Sequence, residues 1–153
     1  RVIDDAKIAD PEAVSRVALC TGKIYYDLVA ARDAKEEGNG VALVRVEELY
    51  PFPEAELRAV FDRYSRVEQV YWVQEESQNM GAWLFVRSYL DELLPADCDL
   101  GYMGRDEAAS PATGSGQVHQ SEQREIVEQA LDLGSQELVL KAMDPSVSEQ
   151  ASG

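Results

Sequence analysis

With 153 residues, 45% of them hydrophobic, the chain is long enough for one domain with a sizeable core and too short for two ordinary ones. Fourteen Lys and Arg against 29 Asp and Glu give a formal net charge of −15. A surface this negative repels phosphate backbones and anionic lipid heads, so neither a nucleic acid nor a membrane is an expected partner. No run approaches the roughly 20 uninterrupted apolar residues of a membrane helix, and no basic-then-apolar leader comes first, so a soluble intracellular protein is expected.

Arg1 stands where Met would begin a complete chain, and patterned sequence starts almost at once, which fits a piece of a longer protein. Only Lys7, Lys23, Lys35 and Lys141 supply lysine. Spread acid with scarce lysine is the composition of a salt-adapted organism, in which screening makes self-repulsion tolerable. Cys20 and Cys98 have no CxxC spacing and no nearby His, so two reduced, partly buried thiols are expected and no metal site.

Residues 1–15 mix acids with short apolar pairs and read as a lead-in segment lying against a neighbour, with a turn at Asp10-Pro11. Arg16 to Cys20 is a near-continuous apolar run, the first predicted strand. Thr21-Gly22-Lys23 turns the chain into a helix on which Ile24, Leu28 and Ala31 recur at helical spacing. Gly38-Asn39-Gly40 closes that helix, and VALVRV (Val41 to Val46) is the second strand. Pro51 and Pro53 force an extended path into a helix from Glu54, whose apolar face is Leu57, Val60, Phe61 and Tyr64. Val67 to Val73 is the third strand, Gln74-Glu75-Glu76 a polar turn, and Met80 to Leu94 the third helix, stopped by Pro95. Asp99 to Met103 is the fourth strand. A loop rich in Ala, Ser, Gly and Pro runs to Gln117, and the last helix of the domain covers Ser121 to Leu133.

Four alternations of apolar strand and amphipathic helix predict an α/β fold of three layers, a mainly parallel sheet with helices on both faces. Residues 16–134 form this domain; residues 135–153 add a short helix, about Ser135 to Met143, and a polar tail expected to lack order.

In a parallel sheet all strand-end turns share one rim, where open α/β sheets place their ligands. That rim gathers Thr21, Gly22 and Lys23; Glu47, Glu48 and Tyr50; Gln74, Glu75, Glu76 and Asn79; and Gly104 with Arg105. CTGK offers backbone N–H groups and an ammonium to a phosphate or carboxylate, but a glycine needed by a tight βα turn explains it more simply. Glu75 and Glu76 cannot easily flank one substrate, because adjacent residues of an extended strand point to opposite faces; an ion-pair or capping role is the better reading. His119 is the only histidine and has no nucleophile pattern beside it. Ser110 lies in AASPATG, which is not a GxSxG elbow. The residues by themselves supply no self-sufficient catalytic set.

Taken together, RVALCTGKIYYDL, VALVRVEELYPFP, VYWVQEESQNMGAW and GRDEAASPATG followed by VHQSEQREIVEQAL resemble the C-terminal domain of 2-oxoglutarate dehydrogenase, from about Val2 to Leu133 in unbroken order. Departures are small: Thr21 where the family usually has Ser, Ser77 where Pro is common, Asp106 where Pro is expected, and no bulky residue in Ser115 to Gln117. The resemblance implies a transketolase-like C-terminal domain, residues 16–134, of a homodimeric oxidoreductase of the tricarboxylic acid cycle. Such an enzyme decarboxylates 2-oxoglutarate on thiamine diphosphate with Mg²⁺ and succinylates the lipoyl group of dihydrolipoyl succinyltransferase, in a complex with dihydrolipoyl dehydrogenase. The cofactor and catalytic histidines would belong to upstream thiamine-binding domains of the same chain, so no catalytic residue, metal site or cofactor is expected in this fragment. The resemblance makes Lys23, Glu75, Glu76, Asn79, Trp83, Arg105, Ser110 and His119 candidates for an interdomain, dimer or effector-binding surface, with Lys23 or Arg105 as phosphate partners. It places the protein in a bacterial cytoplasm or a mitochondrial matrix. The alternative is a stand-alone small-molecule or nucleotide-binding regulatory α/β domain.

Overall fold

The computed structural model describes residues 1–35, 40–107 and 116–131. The order of elements is β1 (Val2–Ile3), a 3₁₀ turn (Pro11–Ala13), β2 (Arg16–Cys20), α1 (Ile24–Asp33), β3 (Val41–Val46), α2 (Glu54–Arg63), β4 (Gln69–Ser77), α3 (Trp83–Leu93), β5 (Asp99–Arg105) and α4 (Gly116–Leu131). Every residue of β2 is buried, as a strand covered on both faces requires, and this explains its unbroken apolar run. The sheet order is β1-β3-β2-β4-β5, parallel throughout except for β1, which runs antiparallel on the edge of β3.

The first crossover carries the chain from β2 to β3 on one side, and the next reverses it to β4 on the other side of β2. The strand order thus turns back at the carboxyl ends of β2 and β4, where a doubly wound sheet opens its crevice. Leu57, Val60 and Phe61 of α2 join Trp83, Val86, Leu90 and Leu93 of α3 on one face of the sheet. Ile24 and Leu28 of α1 join Ile126, Val127, Ala130 and Leu131 of α4 on the other. Burying a side chain of this size contributes roughly 1.5–3 kcal/mol, so these two layers dominate the hydrophobic stabilisation.

Residues 1–15, expected against a neighbour, pack on the domain itself. Asp5 is 3% exposed, pairs with Arg32 of α1, and accepts hydrogen bonds from the Leu43 N–H at 2.9 Å and the Lys7 N–H at 3.1 Å. Asp4 pairs with Arg63 and accepts from the Tyr64 hydroxyl at 2.7 Å. A carboxylate is buried only where a cation and N–H donors replace its water, and Asp5 has both.

The sequence reading also ends β4 too early. Gln74-Glu75-Glu76 continues the strand, because from Val73 to Ser77 the partners on β5 advance only from Met103 to Arg105, so the three residues bulge out of register and pairing then resumes. Helix α3 then starts at Trp83, later than the Met80 expected, and independently α4 starts at Gly116, earlier than Ser121. Cys20 and Cys98 are free thiols, Cys20 fully buried and Cys98 half-buried. Burial pushes the Cys20 thiol up to about 12 and the Cys98 thiol to about 11. Gly38-Asn39, the loop containing Ser110, the helix end at Leu133, the helix from Ser135 and the tail all lie outside the described residues.

Candidate functional site at the strand-end rim

Gly22 adopts φ +74°, a left-handed conformation that turns β2 into α1 and that side chains other than glycine's rarely accept. Lys23 follows it as the first capping position of α1 and reaches across the switch point, where its Nζ lies 3.7 Å from Oε1 of Glu75 on β4. The lysine is 78% exposed and the glutamate 19%, so the contact is screened on one side. Glu75 Oε1 also accepts from Nε2 of Gln123 at 2.9 Å, and the same Nε2 donates to Asp27 Oδ2 at 3.1 Å. Helix α4 thereby bridges α1 to β4 over the crevice.

Arg105, the last residue of β5, anchors the other side. Its Nε donates to Glu122 at 2.6 Å, its Nη1 to the Glu75 carbonyl at 2.6 Å, and its Nη2 lies 2.9 Å from Nδ1 of His119. All three guanidinium nitrogens are engaged by β4 and α4, and the side chain is 15% exposed. A phosphate could take this arginine only by displacing internal partners.

Gln74 is the hub beneath the rim. Buried at 2%, it accepts through Oε1 from the Trp72 indole N–H at 3.0 Å and the Trp83 backbone N–H at 3.1 Å. Its Nε2 donates to the carbonyls of Met80 at 2.8 Å, Ser77 at 3.0 Å and Glu76 at 3.3 Å. One amide therefore fixes both the bulge and the start of α3. Gly81, at φ +66°, lets the turn close on it, since a Cβ there would stand 3.0 Å from Gln74 Oε1. Gly104 is required for a different reason: a Cβ would overlap the Tyr102 hydroxyl and come within 2.9 Å of the Gln74 carbonyl oxygen. The Tyr102 hydroxyl is shared between the carbonyls of Arg105 at 2.7 Å and Glu76 at 3.1 Å, and burial raises its pKa above the ordinary tyrosine range, keeping it a donor.

The structure brings Lys23, Glu75, Arg105 and His119 together. It separates Glu76, whose carboxylate lies on the far side by Gly81, so the two adjacent glutamates diverge as strand alternation requires. Asn79 is exposed at the turn. Trp83 is 1% exposed with its ring 5.5 Å from that of Tyr102, a core residue that cannot itself touch a partner. Ser110 is outside the described residues. Gln74, Tyr102, Glu122 and Gln123 are the rim's organising residues that the candidate set omitted. A groove of about 300 Å³ lined by Asp27, His119, Gln123 and Arg124, among others, runs beside this network between α1 and α4.

Chemically, the rim is an ion-paired clasp. Glu75 and Glu76 face apart, and the His119 ring is committed to the Arg105 guanidinium.

Residues 1–131 match the family model described as 2-oxoglutarate dehydrogenase C-terminal. Similar proteins include the oxoglutarate dehydrogenase of Buchnera aphidicola, 42% identical over 86% of this chain, and the 2-oxoglutarate dehydrogenase E1 component of a Geobacillus strain, 47% identical over 78%. The chain spans only 14% and 13% of those two relatives. Among solved structures, a split-gene transketolase described as an inactive β4 tetramer matches with a TM-score of 0.58 and 18% identity, over 84% of this chain and 40% of that one, a likeness of fold. With the family model covering every described element, the chain belongs to the 2-oxoglutarate dehydrogenase C-terminal family.

Proposed function

We propose that this domain is the C-terminal part of a homodimeric 2-oxoglutarate dehydrogenase that decarboxylates 2-oxoglutarate and passes the succinyl group to the lipoyl group of dihydrolipoyl succinyltransferase, alongside dihydrolipoyl dehydrogenase. The observation that carries this reading is identity of 36–47% over 78–86% of the chain with relatives named as that dehydrogenase or its E1 component. The work of the domain is to present a shaped, rigid surface to the rest of the enzyme. Arg105 and Gln123 hold α4 to the sheet, Gln74 sets the turn before α3, and Lys23, Glu76 and Asn79 are among the rim side chains exposed for contact.

Thiamine diphosphate, when bound, supplies the carbanion chemistry of decarboxylation. We assign the cofactor and its Mg²⁺ to upstream domains; among the described residues no group of three His, Cys, Asp or Glu could hold a metal ion. No described helix is long and apolar enough to cross a membrane. The charge of −15 and the bacterial relatives support a cytoplasmic setting in a salt-adapted cell.

The test is 2-oxoglutarate decarboxylation with an artificial electron acceptor, comparing the full-length chain, the same chain ended before Arg16, and residues 1–153 alone. Activity is expected from the first only. Turnover by the fragment, or none by the full-length chain, overturns the proposal.

A further inference from the structure

The exposed side of α3 carries large apolar residues beside the polar Arg87, Ser88, Asp91 and Glu92. Leu84, Phe85 and Tyr89 expose 60%, 38% and 41% of their surface, while Trp83, Val86, Leu90 and Leu93 of the same helix fill the core. Phe85 and Tyr89, one turn apart on one face, meet at 5.3 Å, and Phe52 stacks on Tyr89 at 4.5 Å from the segment before α2. Tyr50, two residues earlier, is 84% exposed. Neighbouring α2 turns Glu54, Glu56, Arg58, Asp62 and Arg63 to solvent, so this face of the domain has an ordinary polar helix beside the aromatic one. Phe52, Phe85 and Tyr89 are thus in mutual ring contact, and an exposed aromatic group of this kind, with Leu84 and Tyr50 exposed nearby in the chain, marks a surface that another body covers.

We propose that the patch formed by Tyr50, Phe52, Leu84, Phe85 and Tyr89 is the seat of the polypeptide that precedes Arg1 in the same chain. The inference rests on the reading above that such a chain is attached. Two observations select this occupant. Matched relatives are about six times as long, and the matching family is C-terminal, so in them most of the chain comes before the segment matched here. The chain also enters beside the patch: the Arg1 carbonyl accepts from the Glu47 N–H at 2.8 Å, and its amino nitrogen lies 3.7 Å from the Glu48 carboxylate, two residues before Tyr50. The preceding residues therefore emerge next to the segment that carries Tyr50 and Phe52. This surface lies on the α2/α3 face, away from the ion-paired clasp that α4 makes on the other face.

The test places the photoreactive residue p-benzoylphenylalanine at position 84 of the full-length chain, a site exposed enough to accept it. Illumination is expected to give an adduct that runs at monomer mass on a denaturing gel and maps to a peptide preceding Arg1. Without any substitution, hydroxyl-radical footprinting of the full-length chain is expected to oxidise Tyr50 and Tyr89 at least about tenfold more slowly than in the unfolded chain, because the cover excludes water. An adduct at twice the monomer mass, which marks a second copy, overturns the proposal. So does an adduct to residues 1–153 of its own chain, to an unrelated protein, or no adduct, or oxidation slowed by less than that factor. Decarboxylation of 2-oxoglutarate is measured on the same preparation: an active chain without the adduct sinks the docking alone, and an inactive chain with it sinks the functional reading alone.

Discussion

Replacing Gln74 by leucine should be among the most damaging single changes in this domain. Leucine keeps the volume but removes the acceptor of two buried donors, the Trp72 indole N–H and the Trp83 backbone N–H. The carbonyls of Ser77 and Glu76 keep other donors, the Met80 N–H at 2.8 Å and the Tyr102 hydroxyl at 3.1 Å, so their loss counts for less. At about 1–3 kcal/mol for each buried group left unsatisfied, the two donors alone predict a loss of roughly 2–6 kcal/mol. Urea denaturation followed by the fluorescence of Trp72 and Trp83, the only tryptophans, measures it. Gln74→Glu separates the roles of the two amide ends. It keeps an acceptor for both N–H groups but turns a carboxylate toward carbonyls that now receive an amide, which raises its folded pKa above the ordinary value of about 4.3. A raised pKa means that the stability is fully present below the unfolded value and lost as pH rises through the folded one. The Glu variant should therefore approach the parent near about pH 4 and fall away by about pH 8. A Leu variant that loses less than about 1 kcal/mol, or a Glu variant whose deficit is flat with pH, would refute the hub.

Two further outcomes are expected. Arg105→Gln frees Glu122 and the Glu75 carbonyl together, so amides of α4 should lose hydrogen-exchange protection by about tenfold or more, a change of about 1.4 kcal/mol or above; Arg105→Lys should not restore it, because an ammonium cannot span three partners, and unchanged α4 protection in both would disprove the clasp. The buried Cys20 thiol titrates near 12 in the fold against 9.0 for the free group, so stability that is complete below pH 9.0 should decline toward pH 12 by up to about 1.4 kcal/mol per pH unit, and Cys20→Ala should remove that part of the alkaline slope.

The elements whose chemistry is local could be read from sequence. VALVRV and RVALC are buried strands because a run of β-formers that long has no other stable place, and both strands form where the residues put them. Gln74-Glu75-Glu76 misled for a physical reason: three polar residues look like a break, yet a glutamine whose amide is satisfied by five partners can stay buried in a bulged strand. That satisfaction depends on Trp72, Trp83 and the turn between them, which no window of sequence displays. β1 escaped because two residues of a mixed segment carry no period. Strand-end logic placed Lys23, Glu75 and Arg105 at one rim, but their partners arrive on α4 from far along the chain. A signal existed there: His119, Glu122, Gln123, Ile126 and Ala130 follow one helical stripe, so the polar residues continue the face that Ile126 and Ala130 bury.

With a net charge of −15, positive groups are scarce, and their placement shows what the domain spends them on. Arg32, Arg45, Arg63 and Arg105 are all at least half-shielded and pair with Asp5, Glu47, Asp4 and Glu122. Asp4 and Asp5 tie the incoming segment to α1 and α2, while Glu122 and Glu75 tie the outgoing helix to β4 and β5. Partly buried pairs of this kind are screened far less than exposed ones, so the incoming segment and α4 are held by contacts that a salt-rich medium weakens little. Lys7, Lys23, Arg58, Arg66 and Arg87 face acids of their own at more exposed sites, so most of the described cations already have an acidic partner, while Leu84, Phe85 and Tyr89 of α3 leave apolar surface open. Charge organises the inside of this domain, and the aromatic residues of α3 add apolar contact to what the polar rim offers a neighbour.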